Sequence, residues 1–150
     1  WSESRGLGDV YKRQFLSMPK EVYLNTKKKF KKNSTIGLLS TEATLDTKIY
    51  HKYFEKNYNL ISPNERLQKN SVNIAIKYVK KGKVKDAEKV LRPAVRFLMK
   101  KKCKKIILGC TELPIAIFAY KSFKRAKDSK LFIDPNLLLA QVCMKKYKKY

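Results

Sequence analysis

Four short apolar runs, each followed by a stretch with helical spacing, limit this chain to one class of fold. Thr35-Ile36-Gly37-Leu38-Leu39, Leu60-Ile61, Ile106-Ile107-Leu108 and Leu131-Phe132-Ile133 lack the in–out alternation of a strand with one wet face. They read as strands covered on both sides. Between them lie stripes of helical period: Ile49, Tyr50, Tyr53 and Phe54; then Val72, Ala75, Ile76 and Val79, closed by Gly82; then Ala87, Val90, Leu91, Ala94, Val95 and Leu98. Residues 17–32 read as a cationic helix and Leu113 to Tyr120 as an apolar one. Asp134-Pro135 reads as an N-cap with proline at the first helical position, opening a helix through Met144. Pro93 falls inside the longest stripe and is expected to kink it. Strands alternating with amphipathic helices predict an α/β fold, a mostly parallel sheet flanked by helices.

A chain of 150 residues suits one domain with a true core. No apolar run approaches the ~18–20 residues needed to cross a bilayer, and no secretory signal opens the chain. Three cysteines without paired spacing point to a reducing, cytoplasmic setting. The net charge of +24 raises nucleic acid as a partner. Against it, lysine outnumbers arginine 30 to 6, although Arg carries the bidentate fork that reads phosphates and bases. The dense runs (Lys27 to Lys32, Lys80 to Lys85, Lys100 to Lys105, Lys145 to Lys149) fall near predicted helix ends, where cations oppose the macrodipole. A solvated lysine-biased surface is the favoured reading.

Two strand exits carry unusual chemistry. In Gly109-Cys110-Thr111-Glu112-Leu113-Pro114 a cysteine stands between a strand and a helix start, where the helix field favours thiolate over thiol. The plain alternative is a small residue filling a sharp turn. Ser40-Thr41-Glu42-Ala43-Thr44, with Thr47 beyond it, is an ordinary hydroxyl cap or an anion cradle for a substrate carboxylate. No cluster has metal-ligand spacing and no glycine-rich phosphate loop is present, so neither a metal nor a nucleotide cofactor is expected.

These residues resemble a known family. Gly37 to Thr44, with Thr47 and Tyr50, is similar to the opening of the second half of aspartate racemases. Ile107 to Pro114 resembles their second cysteine motif, and Ile133-Asp134-Pro135 with Leu138 and Ala140 their closing segment. Relatives acting on glutamate usually place His after the Cys-Thr pair, so Glu112 favours the aspartate branch. The resemblance to the aspartate/glutamate/hydantoin racemase superfamily implies two pseudo-symmetric α/β halves and cofactor-independent racemisation. One cysteine from each half then faces Cα of an acidic amino acid, one removing a proton and the other returning one. Cys110 would be the second of the pair. Thr111, Glu112, Thr41 and Thr44 would hold the amino acid. Lys69 would offer a cation for the side-chain carboxylate, although Asn70 aligns equally and a solvated helix lysine is the plainer reading.

The resemblance also divides the chain. Residues 1–14, ending Asp9-Val10-Tyr11-Lys12-Arg13-Gln14, resemble a translated sequencing adaptor and are expected to be non-native. Residues 15–33 would be an interdomain linker and helix, 34–130 the second racemase domain, and 131–150 a terminal strand and helix packing on a first domain. That first half, with its Cys-Asn-Thr motif, is missing. Cys103 and Cys143 do not replace its cysteine, and Ala43 stands where glycine is usual. The chain is therefore expected to be an inactive, aggregation-prone fragment of a racemase, whose parent dimerises if it follows its relatives. Two other readings stand beside this one: a cysteine hydrolase using His51 as base, and a basic nucleic-acid-binding module with one contiguous cationic face.

Overall fold

The computed structural model describes residues 16–119 and 130–149. Helix α1 (Met18–Lys29) leads into β1 (Thr35–Leu39), and the short helices α2 (Glu42–Thr47) and α3 (His51–Phe54) lead to β2 (Asn59–Ile61). Helix α4 (Glu65–Leu67), a wide π-type turn over Gln68–Val72 and α5 (Asn73–Lys80) follow without a break. Next come α6 (Val84–Lys100), β3 (Lys105–Leu108), α7 (Glu112–Phe118), β4 (Phe132–Ile133) and α8 (Pro135–Tyr147). The strands are all parallel, in the order β2-β1-β3-β4. The chain thus forms the expected parallel α/β sheet.

The inner strands β1 and β3 are apolar beyond their first residue, apart from Gly37, because both faces are covered. Leu39, Ile106 and Leu108 point to the layer holding Val72, Ile76, Leu91, Val95, Leu98 and Leu113. Ile36, Leu38 and Ile107 point the other way, to Val22, Tyr50, Phe54 and Tyr58. Successive side chains alternate between faces, so a five-residue strand feeds two cores.

Helix boundaries follow local chemistry. The Asp134 carboxylate accepts from the N–H groups of Asn136 and Leu137, the expected cap with Pro135 behind it. Gly82 takes φ +75° just past α5, the left-handed conformation that only glycine adopts freely. Helix α6 runs unbroken from Val84 to Lys100 with Pro93 inside it. Pro93 and Lys89 both lie on its exposed side, so water can reach the carbonyl that loses its N–H partner. The end of α7 expected at Tyr120 lies outside the described residues. The closing segment is continuous with this sheet: β4 pairs with β3, and α8 lies along α1.

The fold places its two unusual strand exits side by side. Leu39 and Leu108 are in register across β1 and β3, and the N–H of Gly109 donates to the Leu39 carbonyl at 2.7 Å. A Cβ at Gly109 would stand 3.1 Å from Leu38 Cδ1, 3.1 Å from Ser40 Cβ and 3.2 Å from the Leu39 carbonyl oxygen. Gly109→Ala should therefore cost about 1–3 kcal/mol, read as a lower midpoint in urea denaturation. An unchanged midpoint would show that the two exits tolerate separation.

Candidate active site

Cys110 leaves β3 half-buried, at the carboxyl edge where parallel sheets gather ligands. Its thiol donates to Glu112 Oε2 at 2.7 Å, and the Thr111 hydroxyl donates to the same oxygen at 3.0 Å. Lys80 Nζ, from the last turn of α5, stands 3.9 Å from Glu112 Oε1. A thiol, a hydroxyl, a carboxylate and an ammonium therefore converge on one turn.

The sulfur's charge state departs from the sequence-based expectation. Burial first, and then the Glu112 carboxylate that accepts its hydrogen, push the Cys110 thiol up to about 11. The N–H groups of Glu112 and Leu113 do reach the sulfur and favour thiolate, as a helix start should, but they are outweighed. Glu112 is held below the ordinary carboxylate value, mainly by the hydrogen it accepts from Cys110, with smaller help from Thr111 and Lys80. At neutral pH the pair is a neutral thiol on a carboxylate.

The second expected turn lies next to it. Thr41 is the N-cap of α2: its hydroxyl accepts from the Thr44 N–H at 3.2 Å and meets the Thr44 hydroxyl at 3.1 Å. Helix α2 starts at Glu42, so most of the turn expected from Ser40 to Thr44 is already helical. The cap reading describes Thr41, and the same cap leaves the start of α2 beside Gly109. Tyr50, from the same motif, is buried, and burial followed by the Asp134 carboxylate pushes its hydroxyl up to about 12.

Lys69 is placed elsewhere in character. Its side chain is 60% exposed and its ammonium pairs with Glu65 at 2.9 Å, one helical turn back. No hydrogen bond or ion pair joins it to Cys110 or Glu112. His51 likewise makes no hydrogen bond with Cys110, and its Nδ1 is buried without a partner. The thiol's acceptor is Glu112, which removes the base that the hydrolase reading requires. Cys103 is buried, its thiol pushed up to about 11 mainly by burial; Cys143 faces solvent on α8 rather than sitting on a packed face. Among the described residues, no three His, Cys, Asp or Glu side chains group together as a metal site would need. No described helix is long and apolar enough to cross a membrane.

Two residues at the site were not legible beforehand. Lys80 stands in a lysine run that offers no local signal distinguishing it. Gln68 opens the π-type turn and is 4% exposed; its Nε2 donates to the Ser40 carbonyl and to Asn73 Oδ1, each at 2.9 Å. It ties the β1 exit to the α4–α5 segment. A polar residue between Leu67 and Val72 reads from sequence as a surface position.

A parallel α/β sheet with a thiol paired to a carboxylate at its carboxyl edge is what the fold presents. Residues 13–143 match the Asp/Glu/hydantoin racemase family, and the chain belongs to that family. Among solved structures it is similar to Picrophilus torridus aspartate racemase, with 28% identity and a TM-score of 0.69, over 88% of this chain and 52% of that one. An aspartate racemase homologue from Pyrococcus horikoshii OT3 shares the fold at a TM-score of 0.69 and 21% identity, over 95% of this chain and 62% of that one. A curated relative, an uncharacterised protein in the pnlA 3′ region of Pectobacterium carotovorum subsp. carotovorum, is 35% identical over 83 residues, 55% of either chain. The chain spans about half the length of the relatives it matches first.

With its pKa near 11, Cys110 should react with iodoacetamide far more slowly at pH 8 than a free cysteine, whose pKa is about 8.5. Glu112→Gln removes the negative charge and replaces one carboxylate oxygen by an N–H donor that can stabilise thiolate, and should speed modification on the order of tenfold. Peptide-resolved alkylation rates measure this. Fast modification of the wild type, unaltered by Glu112→Gln, would refute the pairing.

Proposed function

We propose that this chain supplies the second catalytic half of a cofactor-independent racemase acting on an acidic amino acid, aspartate being the first candidate. The observation that carries the reading is the Cys110–Glu112 pair at the carboxyl edge, with Lys80 beside it.

Each group has a role set by its chemistry. Cys110 rests as a thiol, ready to give its proton to Cα on one face after a base has taken the proton from the other. That base would be a cysteine from the half that the relatives possess beyond this chain's span. In the opposite direction Cys110 must first lose its proton. Glu112 is its hydrogen-bond acceptor, and the substrate's ammonium would favour the thiolate once bound. The Thr111 hydroxyl suits the α-carboxylate; the Thr41–Thr44 turn frames the amino acid from β1. Lys80 takes the role first sought at Lys69, a cation for the side-chain carboxylate, because it is the ammonium found at this turn.

A cleft between two halves also accounts for apolar surface on α8, where Leu137 is 59% and Met144 61% exposed. A first half packed there would cover them, so the isolated chain should aggregate and lack turnover.

In a two-half parent containing this sequence, Cys110→Ala should lower Cα proton exchange of aspartate, followed by NMR in D2O, by about 10²–10⁴-fold. Lys80→Met should raise KM more than it lowers kcat. The chain of 150 residues alone should give no exchange. Undiminished exchange in Cys110→Ala would refute the assigned role.

A further inference from the structure

Lysine runs scattered along the sequence converge in space. All four strands are parallel, so the helices that precede them end at one place, the amino edge of the sheet. Helix α1 arrives there with Lys27, Lys28 and Lys29 in its last turn, and α6 with Lys100, followed by the run to Lys105. Backbone hydrogen bonds tie these loops together: Lys104 N–H donates to the Thr35 carbonyl at 2.8 Å, and Ile106 N–H to the Leu131 carbonyl at 2.8 Å. Helix α8 leaves the carboxyl edge at Asp134 and runs back alongside α1, so that Lys28, Lys145 and Lys149 line one groove. Three of the four runs therefore meet at the edge opposite Cys110. The fourth, Lys80 to Lys85, lies on the other side, starting beside Glu112.

Helix dipoles explain why lysines are tolerated there but leave the net charge uncompensated. Among the described residues none of the amino-edge lysines forms an ion pair; the ion pairs found lie at Lys69, Lys80 and Arg92. Glu55 lies on the described loops of that edge, and Glu21 lines the α1–α8 groove without pairing to a lysine. Lys105 is held below its ordinary value by burial and then by repulsion from Lys29 and Lys130. Like charges crowded without counterions are relieved by a polyanion.

We propose that the amino edge is a docking surface for the phosphate backbone of double-stranded nucleic acid, without base recognition. Lysine acts as a point charge on phosphate and lacks the fork that reads bases. Of the described aromatics near this edge, Tyr58 turns its hydroxyl inward to the Phe30 carbonyl, Phe97 lies under Lys101, and the exposed Tyr147 stands beside Met144 on the α8 surface that the proposed first half would cover. A bilayer is the poorer fit. The apolar face of α6 is spent on the core through Leu91, Val95 and Leu98, and the exposed Leu137 and Met144 of α8 belong to the surface that the proposed first half would cover.

The test is fluorescence anisotropy of a labelled mixed-sequence duplex from about 50 to 200 mM salt. The proteins compared are the wild-type chain, Lys28→Gln/Lys104→Gln/Lys146→Gln, and Lys81→Gln/Lys83→Gln/Lys85→Gln, which has the same net charge. The amino-edge variant should lose on the order of tenfold in affinity and about 3 in the log–log salt slope. The second variant should keep the wild-type slope, and Lys→Arg at the amino edge should retain binding. Equal losses in the two Gln variants would mean diffuse attraction and overturn the proposal. So would no duplex binding by the wild type, or binding to phosphatidylserine vesicles without binding to duplex.

Discussion

The parallel pairing of β1 with β3 carries the whole site. Leu39 opposite Leu108 brings both strands to the carboxyl edge at the same level, and Gly109 lets the following turns approach without a side chain between them. Each turn alone is ordinary: a threonine cap in one, a cysteine at a helix start in the other. Side by side they bring threonine hydroxyls, a thiol and a carboxylate to one edge of the sheet. Gln68 reinforces the junction from a third element by holding the Ser40 carbonyl.

The cysteine illustrates how competing electrostatic effects are ranked. A helix N-terminus contributes partial charge over a single turn and lowers a thiol's pKa. Removing the sulfur from water and setting a full carboxylate charge beside it both act in the opposite direction. Here the second pair of effects wins, and the proton stays on sulfur. Under the proposed function this thiol would be the protonated member of a pair working on opposite faces of Cα.

Charge and topology meet in the same way at the far edge. Parallel strands require every connecting helix to return to where the next strand begins, so helix C-termini gather there, and with them the lysines that suit negative dipole ends. Runs separated by dozens of residues become neighbours through connectivity alone.

Much of this was fixed by local pattern. Short apolar runs specified strands buried on both faces, the Asp134-Pro135 pair specified a helix start, and Gly109-Cys110-Thr111 specified a turn with chemistry in it; each depends on residues within one or two turns of one another. Helix α6 passing through Pro93 depended instead on which side of the helix the proline occupied, a matter of packing. Tertiary structure alone set the neighbours of the two lysines: Lys69 pairs with Glu65 one turn back and feels the charge of Glu42, whereas Lys80 stands beside Glu112. It also decided the state of Cys110: the tripeptide gives the helix field, whereas burial and the direction of the Glu112 side chain arise only once the sheet has closed around them.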